Sequence, residues 1–98
     1  MKNKEINLIV LIEVQPGKAE EQINLFKKLQ PLVLNEKGCM EYKLSKVAGS
    51  DVEFVITERW ASSEDLAAHD LSPHMQEADS ITPTFRAKPA TVLQLNKV

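Results

Sequence analysis

Cysteine occurs once in this chain of 98 residues, and glycine only three times. A single Cys39 excludes a disulfide framework within the chain and argues against a thiolate metal cluster. With apolar neighbours and no lysine-rich or helix-start setting, it reads as a small buried hydrophobe rather than a reactive thiol. Three isolated glycines cannot build a phosphate-cradling loop. The flavin and nicotinamide fingerprints and the Gly-x-Ser-x-Gly elbow are missing as well. There is no HExxH, and His69 and His74 stand five apart rather than the four that puts two imidazoles on one helical face. Pro73 also interrupts the helix between them. The expectation is therefore no resident metal and no bound cofactor. Long apolar runs are lacking too. The longest, Leu8 to Ile12, falls far short of the roughly 20 residues that cross a bilayer. Met1-Lys2-Asn3-Lys4-Glu5 has neither an apolar signal core nor a small-residue cleavage site, so a cytoplasmic location without a membrane partner is expected by default. Twelve basic residues against fourteen acidic give a net charge of −2. No basic stripe stands ready to displace counterions from phosphates, which speaks against nucleic acid.

What is present fits one α+β domain, residues 1–98, with a thin core. Ile6 to Val14 is rich in branched residues and stops at Gln15-Pro16-Gly17, as a strand does at turn residues. Both of its alternating sets are apolar: Ile6, Leu8, Val10, Ile12 and Val14 on one side, Ile9 and Leu11 on the other. Such a strand needs cover on both faces. Helices of the same chain can supply one cover, and a second copy of the sheet is the simplest source of the other. Lys18 to Lys37 carries Ile23, Phe26, Leu29 and Val33 at helical spacing, acidic residues in its first turn and Lys37-Gly38 at its end. Pro31 predicts a kink or break near Leu29–Gln30. Cys39–Val47 and Val52–Trp60 read as a hairpin across Ala48-Gly49-Ser50-Asp51. In its first strand Met40, Tyr42 and Leu44 share one side, and Cys39, Glu41, Lys43 and Ser45 the other. Ser62 with Asp65 begins a second helix in a capping-box pattern. Ser72-Pro73 begins a third that runs to about Ser80. Thr82 to Pro89 is an irregular connection, and Ala90 to Lys97 a last strand. The order β-α-β-β-α-β is the ferredoxin-like arrangement, an antiparallel sheet with helices on one face.

Glu58 and Trp60 share one side of the third strand, and His69 and His74 follow on the next helices. Four such residues within 17 positions could line one pocket. Imidazole titrates near neutral pH, and a nearby carboxylate can orient it. Plainer roles fit equally: Glu58 solvated or paired with Arg59 or Arg86, Trp60 as core, His69 as a hydrogen-bond donor to backbone.

Four motifs recur together in a known family. They are Val14-Gln15-Pro16-Gly17 before the first helix, Glu36-Lys37-Gly38-Cys39-Met40-Glu41-Tyr42, Glu58-Arg59-Trp60 at a strand end, and His69-Asp70-Leu71-Ser72-Pro73-His74-Met75. In order and spacing the chain resembles the antibiotic-biosynthesis monooxygenase family along nearly its whole length. The resemblance implies a homodimer joined through the sheet into a dimeric α+β barrel. It also implies a pocket between sheet and helices for a small aromatic or other small molecule. Relatives include cofactor-independent oxygenases of quinols and phenols, haem-degrading enzymes and an isomerase of a phosphorylated signal. On the oxygenase reading His69 is the base, Trp60 a stacking wall and Asn7 a donor to the developing oxyanion, with Tyr42, Glu58 and His74 as ligand contacts. Haem degradation fits less well, because Asp79 and Ser80 stand where those relatives carry their helix histidine. An isomerase or a non-catalytic binding dimer is the alternative.

Overall fold

In a computed structural model, which describes residues 4–98, the branched first segment forms strand β1 (Ile6–Glu13) and α1 follows at Ala19–Leu34. Met1 to Asn3, part of the N-terminal stretch read above, lie outside the described residues. β2 (Cys39–Lys46) and β3 (Glu53–Trp60) form the expected hairpin, in which the Ser50 hydroxyl accepts the Val52 and Glu53 amides. Then come α2 (Ser63–Asp70), α3 (Pro73–Ile81), a single 3₁₀ turn at Thr82–Thr84 and β4 (Thr91–Leu95). The Ser62 hydroxyl caps α2 through the Asp65 amide and the Ser72 hydroxyl caps α3 through the Met75 amide. The four strands lie in the order β2-β3-β1-β4, every neighbouring pair antiparallel. This is the ferredoxin-like sheet.

The core sits on one face of that sheet. Val10, Ile12 and Val14 meet Phe54, Ile56 and Trp60 from β3 and Tyr42 from β2, under Phe26, Leu29 and Val33 of α1. Each large side chain so removed from water contributes roughly 1.5–3 kcal/mol. The opposite face carries Ile9, Leu11, Val55 and Thr57, with Leu93 and Leu95 across from Ile9 and Asn7. Leu93 and Leu95 remain 44% and 47% exposed.

Three local expectations change. Helix α1 runs unbroken through Pro31 to Leu34. Proline removes one backbone bond there, but Leu29 and Val33 on either side are buried and hold the segment onto the sheet. The buried stripe of α1 is Gln22, Phe26, Leu29 and Val33, so a glutamine occupies the place expected for Ile23. In β2 the register shifts between Cys39 and Glu41. The extra residue of this bulge is Met40, which turns to solvent, while Cys39 pairs with Trp60 on the core face. Strict alternation had placed Met40 with Tyr42 and Cys39 with Glu41. A bulge reverses that parity.

Gly38 adopts φ +82° immediately before β2, and a Cβ there would run into the Asp65 side chain. Its backbone oxygen accepts the Ala61 amide, which fastens the start of α2 against the β2 entry and brings the histidines to the sheet. No helix among the described residues is long and apolar enough to cross a membrane.

Candidate functional site

A cavity of about 420 Å³ lies between the sheet and the helices. That is within the usual size of a small-molecule site. Its sheet wall is built by Leu8, Val10, Ile56, Glu58 and Tyr42, and its helix wall includes Phe26, Leu66, His69 and Met75. Strand alternation explains the sheet wall, because Leu8 and Val10 point to the same side as Glu58 and Ile56 across from them. Helical spacing explains the pairing of Leu66 with His69.

His69 is the centre of a polar cluster. It is 2% exposed, and its Nδ1 lies 3.1 Å and 3.0 Å from the two carboxylate oxygens of Glu36. His74 reaches the same carboxylate through Nε2 at 2.6 Å. An ionised Glu36 accepts only, so both ring nitrogens must carry their protons and donate. This fixes the tautomer of His69 when neutral: Nδ1 holds the hydrogen and Nε2 keeps its lone pair. Nε2 has no protein partner among the described residues, and His69 lines the cavity. The ring is further held by Trp60, 4.5 Å away between centroids, and by the edge of Tyr42 at 5.9 Å.

Glu58 is buried, and its Oε1 accepts the Trp60 indole N–H at 2.9 Å. Neither arginine pairs with it. Arg59 turns instead to Glu5, at 2.9 Å. Burial pushes the Glu58 carboxyl above the ordinary range, although the indole N–H and the neighbouring His69 pull it back in part. Tyr42 stacks on Phe26 with centroids 4.9 Å apart. Burial, reinforced by Glu58, raises its phenol far above the usual range, so it stays neutral. Its hydroxyl has no protein partner among the described residues, and Tyr42 lines the cavity. Burial and the Glu36 charge also push the Cys39 thiol up, in keeping with a packing role.

The foreseen residues thus divide. His69, Glu58 and Tyr42 reach the cavity, while Trp60, fully buried, supports His69 and Glu58 from behind. His74 sits behind His69, bonded to Glu36. Asn7 belongs to the alternate set of β1, with Ile9 and Leu11, on the sheet face away from the helices, opposite Arg59 and Leu95. Glu36 joins the two histidines from the turn between α1 and β2, where it opens the motif that runs to Tyr42. Among the described residues, Glu36, His69 and His74 place their ligand atoms within 4.8 Å of one another and form a set that could hold a metal ion. Spacing along one helix could not foresee this, because the third member comes from the α1–β2 turn. Their separations are those of hydrogen bonds.

The sequence pattern of the antibiotic biosynthesis monooxygenase family matches residues 6–79. The chain belongs to that family. A relative named Probable quinol monooxygenase YgiN, from Escherichia coli strain K12, is 32% identical, over 72% of this chain and 78% of its own length. Among solved structures, PA3566 from Pseudomonas aeruginosa superposes with a TM-score of 0.89 at 22% identity, covering 97% of this chain and 95% of its own. Rv0793 from Mycobacterium tuberculosis does so with a TM-score of 0.89 at 23% identity, covering 97% and 96%. The family match ends at Asp79, so it takes in Glu36, Glu58, Trp60, His69 and His74 and stops before Arg86 and β4.

Proposed function

We propose that this chain is a cofactor-independent monooxygenase of a quinol or phenol bound in the cavity. The observation that carries the reading is the polarised His69: a carboxylate on Nδ1, a free Nε2 and a cavity beside it. The identity to a quinol monooxygenase relative points the same way. His69 Nε2 takes a proton from a ring hydroxyl, and Glu36 stabilises the imidazolium that results. The phenolate is electron-rich enough to react with oxygen directly. For a quinol the reaction balances without an outside reductant: one oxygen atom enters the ring, the other leaves as water, and a hydroxyquinone remains. Tyr42, neutral and a donor, takes the oxyanion role foreseen for Asn7. Glu58 in its protonated form can return a proton to the reduced oxygen.

We also assign the exposed apolar sheet face to a second copy of the chain in the cytoplasm. Leu11, Leu93 and Leu95 are each more than 40% exposed and lie side by side with Ile9. Sedimentation at micromolar concentration should give twice the monomer mass, and a monomer there would refute the assignment. The activity is tested by oxygen uptake with a reduced naphthoquinol, without added metal or flavin. Wild type should exceed spontaneous oxidation and His69→Ala should not. A wild-type rate no faster than the spontaneous one overturns the reading.

A further inference from the structure

Of the polar residues in the cavity wall that this chemistry leaves unused (Gln22, Asp70, Asp79, Thr82, Arg86 and Gln94), Arg86 is the cation. It follows the 3₁₀ turn, and its backbone bridges to Val14 just beyond β1. Glu58 stands opposite Leu8, six residues earlier on the same strand. At strand rise the two backbones are roughly 20 Å apart along the sheet, yet both residues line the cavity. The cavity therefore has two polar ends, one with Glu58 and His69 and one where Arg86 and Gln22 supply donors beside the Asp79 carboxylate.

The donor end is defined by a single hydrogen bond. Arg86 Nε donates to Gln22 Oε1 at 3.1 Å. Because arginine can only donate, the oxygen of the Gln22 amide must face it, and the NH₂ group is turned elsewhere. Gln22 is 1% exposed, and its NH₂ has no partner among the described residues. No fully enclosed polar side-chain atom among them lacks a partner, so that NH₂ keeps contact with the cavity it lines. The terminal Arg86 nitrogens likewise have neither a hydrogen bond nor a carboxylate within 4 Å. Asp79 also lines the cavity, and its charge acts on Arg86 only from beyond ion-pair distance. Burial lowers the affinity of the guanidinium for its proton. A half-buried guanidinium with its terminal N–H groups uncommitted, beside an amide NH₂ turned to the same cavity, offers its donors to an anion.

We propose that Arg86 and Gln22 form an anion-binding site in the cavity wall, so that the cavity takes an aromatic molecule carrying a carboxylate or phosphate group rather than a neutral arene. This deepens the reading above by naming a substrate class, and rests on it only for the cavity being the ligand site. Placed this way, the anionic group would anchor one end of the molecule while the ring extends toward Tyr42 and His69.

The test is calorimetric binding of three probes to the full chain: 2-naphthoate, 2-naphthyl phosphate and the neutral 2-naphthamide. At least one anion should bind roughly 10- to 100-fold more tightly than the amide, the range of a charge-assisted hydrogen bond, and the tighter anion identifies the group. Arg86→Met should abolish that preference, and Arg86→Lys should keep part of it. Equal binding of all three, no binding of any, or an anion preference that survives Arg86→Met overturns the proposal. If Arg86→Met fails to fold, the wild-type ranking together with Arg86→Lys and Gln22→Leu decides. Binding and oxygen uptake fail separately: an anion preference without oxygen uptake keeps this site and removes the oxygenase, and uptake without a preference does the reverse.

Discussion

Replacing Glu36 by glutamine keeps the size of the side chain and removes one of its two accepting oxygens. In the native cluster the carboxylate receives His69 Nδ1–H at 3.0 Å and His74 Nε2–H at 2.6 Å, both on Oε2. A glutamine oxygen at the Oε2 position can keep both donors, as weaker neutral bonds, but its NH₂ then stands where Oε1 was, 3.1 Å from His69 Nδ1. Hydrogen bonds to a charged group contribute about 1.5–3 kcal/mol and neutral ones about 0.5–1.5. Two weakened bonds therefore cost about 2 kcal/mol. The Glu36 side chain is only 15% exposed, so solvent replaces little of the loss. For a chain of this size the melting temperature should fall by roughly 10 °C. The functional effect should be larger. If the amide NH₂ faces His69, the proton moves to Nε2 and the nitrogen facing the cavity ceases to be a base. General-base catalysis contributes about 10²–10⁴-fold, so kcat for quinol oxidation should fall at least 100-fold with KM little changed. Nitrogen-15 NMR of the imidazoles reports the tautomers directly. A variant that turns over at the wild-type rate with Nδ1–H still in place would refute the assignment of Glu36 as the group that positions His69.

His74→Phe removes one donor to Glu36 but nothing from the cavity wall; kcat should stay within about 10-fold of wild type, above the base-catalysis range, and a drop as deep as that of His69→Ala would contradict its positioning role. For Glu58 the folded carboxyl titrates above its unfolded value of about 4.5. Between the two values the folded state binds more protons, so stability is greatest below the unfolded value and is lost as pH rises through the folded one. Glu58→Gln should flatten that slope in urea titrations run from pH 4 to pH 8, and an unchanged slope would show that Glu58 is not its source. Gly38→Ala forces a side chain into a left-handed backbone and against Asp65. A loss of at least about 1–2 kcal/mol is expected, and a shift in melting temperature under about 1 °C would disprove the clash.

Much of the fold was legible in one dimension because its signals are local. Branched runs ended by Pro-Gly or Gly-Ser, and caps at Ser62 and Ser72, depend on neighbours a few residues away. The unbroken passage of α1 through Pro31 did not, since packing of Leu29 and Val33 outweighed a local penalty. The Met40 bulge was hidden for a related reason: alternation predicts parity only while the register holds, and the register is set by the partner strand.

The sequence by itself determined the element order, the family motifs and the pairing of Leu66 with His69 on one helical face. It also placed Asn7 among Ile9 and Leu11, without saying which side of β1 the helices would cover. Tertiary structure alone decided that, and so decided that Tyr42 rather than Asn7 shares the cavity with His69. It also joined Glu36 to histidines 33 and 38 residues away, and Arg86 to Gln22 across 64. No periodicity carries such contacts, because they are made by side chains that meet only when helices close over a sheet.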